Sequence, residues 1–201
     1  MPEETNKLKS IGTILLPIAR KAISEPLGIQ SMNVAEDAAW LHEIGASFIT
    51  LTQNQQLRGC IGSLEAHRSL ISDVKANAFA AAFHDPRFRP LKAAELDFTE
   101  IEVSLLTEAE AMQYSSEQEA LAQLQPGQDG VIFQFGAYRS TFLPQVWDQL
   151  PDAITFMAHL KQKAGLYPTF WHDEVKLYRY SVRKWKERDN KMHVEVGSTR
   201  A

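Results

Sequence analysis

With 201 residues, 44% of them apolar and 23% charged, the chain has the composition of a folded globular protein and not of a disordered one. Its 21 basic and 25 acidic side chains give a net charge of −4, which excludes a general attraction to phosphate backbones and leaves any nucleic-acid contact to a local patch. The single cysteine, Cys60, excludes an internal disulfide and a multi-cysteine metal cluster.

The N-terminus reads Met-Pro-Glu-Glu-Thr, with acids where an export signal needs a basic region, and the apolar run at 11–18 is interrupted by Gly12, Thr13 and Pro17. A cytoplasmic protein with no membrane span is expected. Leu8, Ile11, Leu15, Ile18 and Ala22 recur at helical spacing and predict an amphipathic helix that Pro17 should kink or divide. Residues 25–33 have loop composition, and 34–43 could form a short helix. Alternation in Ile49-Thr50-Leu51-Thr52 predicts a strand over 46–53, and 57–62 a second one, the pair closing as a hairpin through a polar turn containing Asn54. Ser69 is placed to cap a helix over 70–83, buried along Leu70, Val74, Ala78 and Ala81 and ended by Asp85-Pro86.

Ile101, Val103 and Leu105 alternate with polar residues in a strand over 99–107. Ser116 with Glu119 fits a capping box for a helix reaching Leu124. Residues 131–135 and 139–143 read as a second hairpin joined through Gly136 and stopped by Pro144. Asp152 opens a helix that Gly165 ends in the left-handed position, and 174–182 is a closing strand. The pattern predicts an α+β fold with a mixed or antiparallel sheet and flanking helices, one domain over 1–185 in two lobes, and a polar C-terminal tail over 186–201, with 183–201 solvated.

Three segments hold chemistry. In Leu57-Arg58-Gly59-Cys60-Ile61-Gly62, regular alternation puts Leu57 and Ile61 on the core face and Arg58 with Cys60 on the other. A guanidinium beside a thiol favours the thiolate, and Gly59 and Gly62 leave room for a ligand to approach the backbone. A free cysteine is also commonly a small buried hydrophobe, and no general base lies at a fixed spacing, His67, His84 and His172 being the candidates. In the loop at 84–90, Asp85 could orient His84 or pair with Arg87, and the arginines could hold a carboxylate or phosphate, or form only a surface ion pair. The third segment, 140–146, has no acid or base and reads alone as structure.

Together with Glu102-Val103-Ser104-Leu105-Leu106 and with Leu160 and Lys163-Ala164-Gly165, these motifs resemble the AMMECR domain family in order and spacing over about residues 10–185. The resemblance implies a two-lobed α+β fold with no established activity. It also implies membership of the AmmeMemoRadiSam group, encoded alongside a Memo-type protein and a radical-SAM protein, hence a role in a modification pathway. The chain lacks the cysteine triad of a radical-SAM cluster, so such chemistry would belong to a partner. The binding candidates are Arg58, Gly59, Cys60, Gly62, His84, Asp85, Arg87, Glu102 and Ser104. The expected role is a ligand- or partner-binding component with a polar cleft where Arg58 and Cys60 meet the 84–89 loop. Two alternatives stand beside it. One is an enzyme with Cys60 as nucleophile, and the other is RNA binding through Arg58, Arg68, Arg87, Arg89 and the basic tail, against which the net charge counts. No cofactor is read from the chain, which has no phosphate loop, serine elbow or zincin helix, and no metal site is assigned, since a mononuclear site built from Cys60, a histidine and Asp85 would have to draw on ligands scattered singly along the sequence.

Overall fold

The computed structural model describes residues 2–30 and 33–189. In chain order come helix α1 (Pro2–Ser24), strands β1 (Ile44–Gly45), β2 (Ser47–Gln53), β3 (Gln56–Gly62) and β4 (Arg68–Ser69), helix α2 (Leu70–Phe83) and strand β5 (Glu100–Leu106). There follow β6 (Glu110–Ala111), α3 (Glu117–Ala122), β7 (Gly130–Phe135), β8 (Tyr138–Phe142), α4 (Ala153–Lys163), β9 (Lys176–Tyr180) and β10 (Val182–Lys186). Two compact units result, one built from the chain up to Leu105 with the segment from Arg183, the other from Leu106–Val182. The fold is α+β, as expected, and the pairings β1–β4, β2–β3, β2–β5, β6–β9, β7–β8 and β7–β9 are all antiparallel. Among the described residues, no helix is long and apolar enough to cross a membrane.

The first unit lays α1 and α2 against one face of a sheet ordered β10-β5-β2-β3. Leu15 and Ile18 of α1, Val74 and Ala78 of α2, Ile49 and Leu51 of β2 and Ile101 and Val103 of β5 are all fully buried, and each such Leu, Ile or Val contributes about 1.5–3 kcal/mol. Pro17 does not divide α1, which runs on as one helix because its neighbours Leu16, Ile18 and Ala19 are locked in the core. The helix expected over 34–43 reduces to a short 3₁₀ turn at Ala39–His42, since only Leu41 there is buried. The β2–β3 hairpin closes through Asn54 and Gln55, both at positive φ.

The expected solvated tail is corrected at its start. Residues 182–186 form β10, an outer strand of this sheet, because Trp185 alternates with Lys184 and Lys186 and packs on the core. Glu187 then clamps the strand, accepting from Arg20 of α1 and from the Ile101 amide. The rest of the expected tail, from residue 190, lies outside the described residues.

The second unit packs α4 against a sheet ordered β6-β9-β7-β8, with Phe133, Phe156, Leu160 and Leu177 at its centre and Trp147 stacked on Phe156 at 3.8 Å. Asp152 caps α4 through the Thr155 amide, and Gly165 at φ 88 ends it, with the Leu166 amide reaching back to the Lys161 carbonyl. Ser116 caps α3, but the reciprocal arm of the expected box goes one residue further back, from the Ser115 amide to Glu119. Lys161 is buried, its ammonium held by Glu117 at 2.6 Å and the Phe170 carbonyl at 2.8 Å.

Candidate functional site

The segment 57–62 is β3, at the edge of the first unit's sheet, and a bulge decides where its side chains go. Thr50 pairs with Cys60 and Leu51 with Gly59, but Thr52 pairs with Leu57, so two residues of β3, Arg58 and Gly59, lie where the partner strand has one. One inserted residue reverses the alternation beyond it. Thr50 and Thr52 share a face, so Leu57 lies on the Cys60 side, 43% exposed, while Arg58 turns to the helix side. This corrects the expectation that Arg58 and Cys60 share a face with Leu57 in the core; Ile61 does pack on the core. Arg58 binds Glu95 through Nε at 3.1 Å and Nη2 at 3.4 Å, next to Gln53, and its hydrogen bond is the main cause holding the Glu95 carboxyl below its usual range.

The glycines admit protein groups where space for a ligand was expected. A Cβ on Gly59 would stand 2.2 Å from the Ala81 carbonyl oxygen at the end of α2, and one on Gly62 would stand 2.2 Å from the Phe48 ring. The close approach of α2 to β3 puts the loop after it on the outer edge of that strand. There Asp85 accepts the Cys60 amide at 2.8 Å, and Arg87 donates to the Cys60 carbonyl at 3.2 Å. Arg87 also grips both oxygens of Asp85, at 2.9 and 2.6 Å. A carboxylate and a guanidinium thus satisfy the two edge groups that a neighbouring strand would otherwise take. The Arg87 hydrogen bond, backed by amides of Cys60 and Arg87, holds the Asp85 carboxyl far below its usual range despite burial, and Asp85 raises Arg87 in return. Asp85 therefore pairs with Arg87, one of the two partners considered for it. His84 instead sets its ring edge-on to Phe79 at 5.0 Å.

On the face turned away from the helices, the four strands bring polar side chains into one row. Cys60 Sγ lies 3.4 Å from the Thr50 hydroxyl, Thr50 is cross-strand partner to Glu102, and Glu102 meets Lys186 at 3.0 Å and Lys184 at 3.8 Å. Ser104, buried beside them, donates to Glu102 at 3.4 Å. Cys60, Glu102 and Ser104 were candidates from sequence; Thr50, Lys184 and Lys186 were not. The missed signal is the alternation Lys184-Trp185-Lys186, the same period-two pattern that identified the other strands. Among the histidines weighed as bases, His67 Nδ1 contacts the Glu65 carbonyl, and His172, in the second unit, accepts the Glu174 amide. In that unit the motifs at 140–146 and 160–165 meet, Ser140 donating to the Leu160 carbonyl and Lys163 to the Thr141 carbonyl. Among the described residues, no group of three or more His, Cys, Asp or Glu side chains is placed to hold a metal ion.

The AMMECR1 family model matches residues 16–185. Protein MJ0810 of Methanocaldococcus jannaschii is 35% identical over 184 residues, covering 88% of this chain and 90% of the relative. A protein of Methanothermobacter thermautotrophicus is 36% identical over 180 residues, with 88% and 94% covered. The crystal structure of the uncharacterized protein PH0010 from Pyrococcus horikoshii aligns with a TM-score of 0.70 at 32% identity, over 88% of this chain and 91% of that one.

Proposed function

The chain belongs to the AMMECR1 family, and from that premise we propose that it is a binding component of a modification pathway shared with Memo-type and radical-SAM proteins, with the polar sheet face of its first unit as the docking surface. The observation that carries this reading is the row Cys60, Thr50, Glu102, Lys184 and Lys186, contributed by four strands to one face while the opposite face is apolar core. A folded sheet does not need a thiol, a hydroxyl, a carboxylate and two ammonium groups in register on one side. Mixed charge of this kind supplies register and orientation to a partner. Binding is favoured over nucleophilic catalysis because the Cys60 sulfur contacts a hydroxyl, and a neutral hydroxyl is a poor base for activating a thiol.

The test is titration of the chain against the two presumed partner proteins by calorimetry. Reversing both lysines, Lys184→Glu with Lys186→Glu, should weaken binding by about tenfold or more, and Cys60→Ser should leave it nearly unchanged. Absence of binding to either partner would remove the reading. If Cys60→Ser binds normally but abolishes turnover of the reconstituted pathway, the nucleophile reading replaces it.

A further inference from the structure

A concave region lies in the first unit, away from the polar row. It is a groove of about 780 Å³ between the C-terminal part of α1, the face of α2 around Lys75 and the segment entering at Asn33. That volume falls within the roughly 300–1,000 Å³ of small-molecule sites. Ala22 and Ala76 give it a small apolar floor, and Phe79, 37% exposed, forms a wall. The Phe79 ring is held by Phe83 and His84, each with centroids at 5.0 Å, so it stands as a fixed aromatic surface.

The two lysines of the groove differ. Lys75 is held in a close hydrogen-bonded ion pair with Glu36 at 2.6 Å. The Lys21 side chain is only 26% exposed, and its ammonium forms a loose ion pair with Glu25, itself on the groove wall, at 3.8 Å, beyond hydrogen-bonding distance. A half-buried cation whose donors are not taken by its nearest carboxylate is suited to an incoming anion. We infer that this groove binds an amphiphilic anion, a carboxylate or phosphate seated on Lys21 with an aromatic or apolar body laid along Phe79 over Ala22 and Ala76.

The full chain would be titrated by calorimetry with benzoate and with phenyl phosphate, which share a ring and differ in the anion, and with inorganic phosphate as the ring-free arm. At least one aromatic anion should bind saturably, and whichever binds more tightly identifies the headgroup. Lys21→Met should weaken it about tenfold or more, as should Ala76→Leu, which fills the groove without touching a charge, whereas Lys92→Met, at an exposed position elsewhere, should not. Circular dichroism checks each fold, and Lys21→Met alone decides where Ala76→Leu disturbs the helix packing. Failure of both aromatic anions to bind, or equal affinity for Lys21→Met and wild type, overturns the site. Inorganic phosphate binding as tightly as phenyl phosphate overturns the apolar half of the assignment.

Discussion

Asp85 is nearly inaccessible, its side chain 2% exposed, and it carries three jobs at once: it accepts the Cys60 amide, accepts the Arg87 amide and anchors the Arg87 guanidinium. Because its carboxyl is held below the usual range in the fold, first by the Arg87 hydrogen bond, it is linked to stability with a definite sign. The contribution is fully present above the unfolded value, about 3.9 for an aspartate, and is lost as pH falls through the folded one. Asp85→Asn keeps an oxygen for the Cys60 amide but discards the charge. At pH 7 this variant should be less stable by about 1–3 kcal/mol, the exposure of Arg87 keeping the loss below that of a fully buried pair. The difference should narrow as the pH is lowered below about 4. Urea midpoints measured from pH 7 to pH 2 check both statements, and a gap that widened in acid would contradict them.

At the scale of elements, the bulge in β3 redistributes exposure along the best-marked motif of the chain. Leu57→Ser should change stability by less than about 0.5 kcal/mol, as for an ordinary surface position, whereas Ile61→Ser should cost about 2 kcal/mol or more. Chemical denaturation of the two variants side by side is the measurement, and comparable large losses for both would mean that the strand alternates without interruption. Both residues are branched aliphatics at matching positions of a period-two pattern, so nothing local distinguishes them. What separates them is the register with β2, a long-range fact. The longer strands from β2 to β9, the hairpin turns and most caps were legible because each depends on neighbours a few residues away, and Asp152, Ser116 and Gly165 sit where their types predict, whereas Ser69 stands at the head of α2 without capping it, its hydroxyl donating to Ser72. The approach of α2 to Gly59 and the pairing of Lys186 with Glu102 depend on elements far apart in sequence, and so the polar row was only half legible.

At the scale of the whole chain, the second unit is an insertion between adjacent strands of the first. The chain leaves after β5 and returns at β10, and these strands are neighbours, with the Thr107 amide bonded to the Ser181 carbonyl at 2.9 Å where they part. Replacing residues 108–180 by Asn-Gly should therefore give a shortened protein that still melts cooperatively, since a two-residue turn suits such a pair and the first unit has its own core. Calorimetry decides, and a chain without a transition would show that the first unit does not stand alone. The same insertion sets an order of events during synthesis. The second unit is continuous in sequence and can close once β9 has emerged from the ribosome, but the first waits, lacking an outer strand, until β10 and Glu187 follow. Lys184 and Lys186 join the polar row only then, so a ribosome that stalls or a message cut between the end of β5 and codon 184 yields a product that holds the thiol and the carboxylate and neither ammonium group.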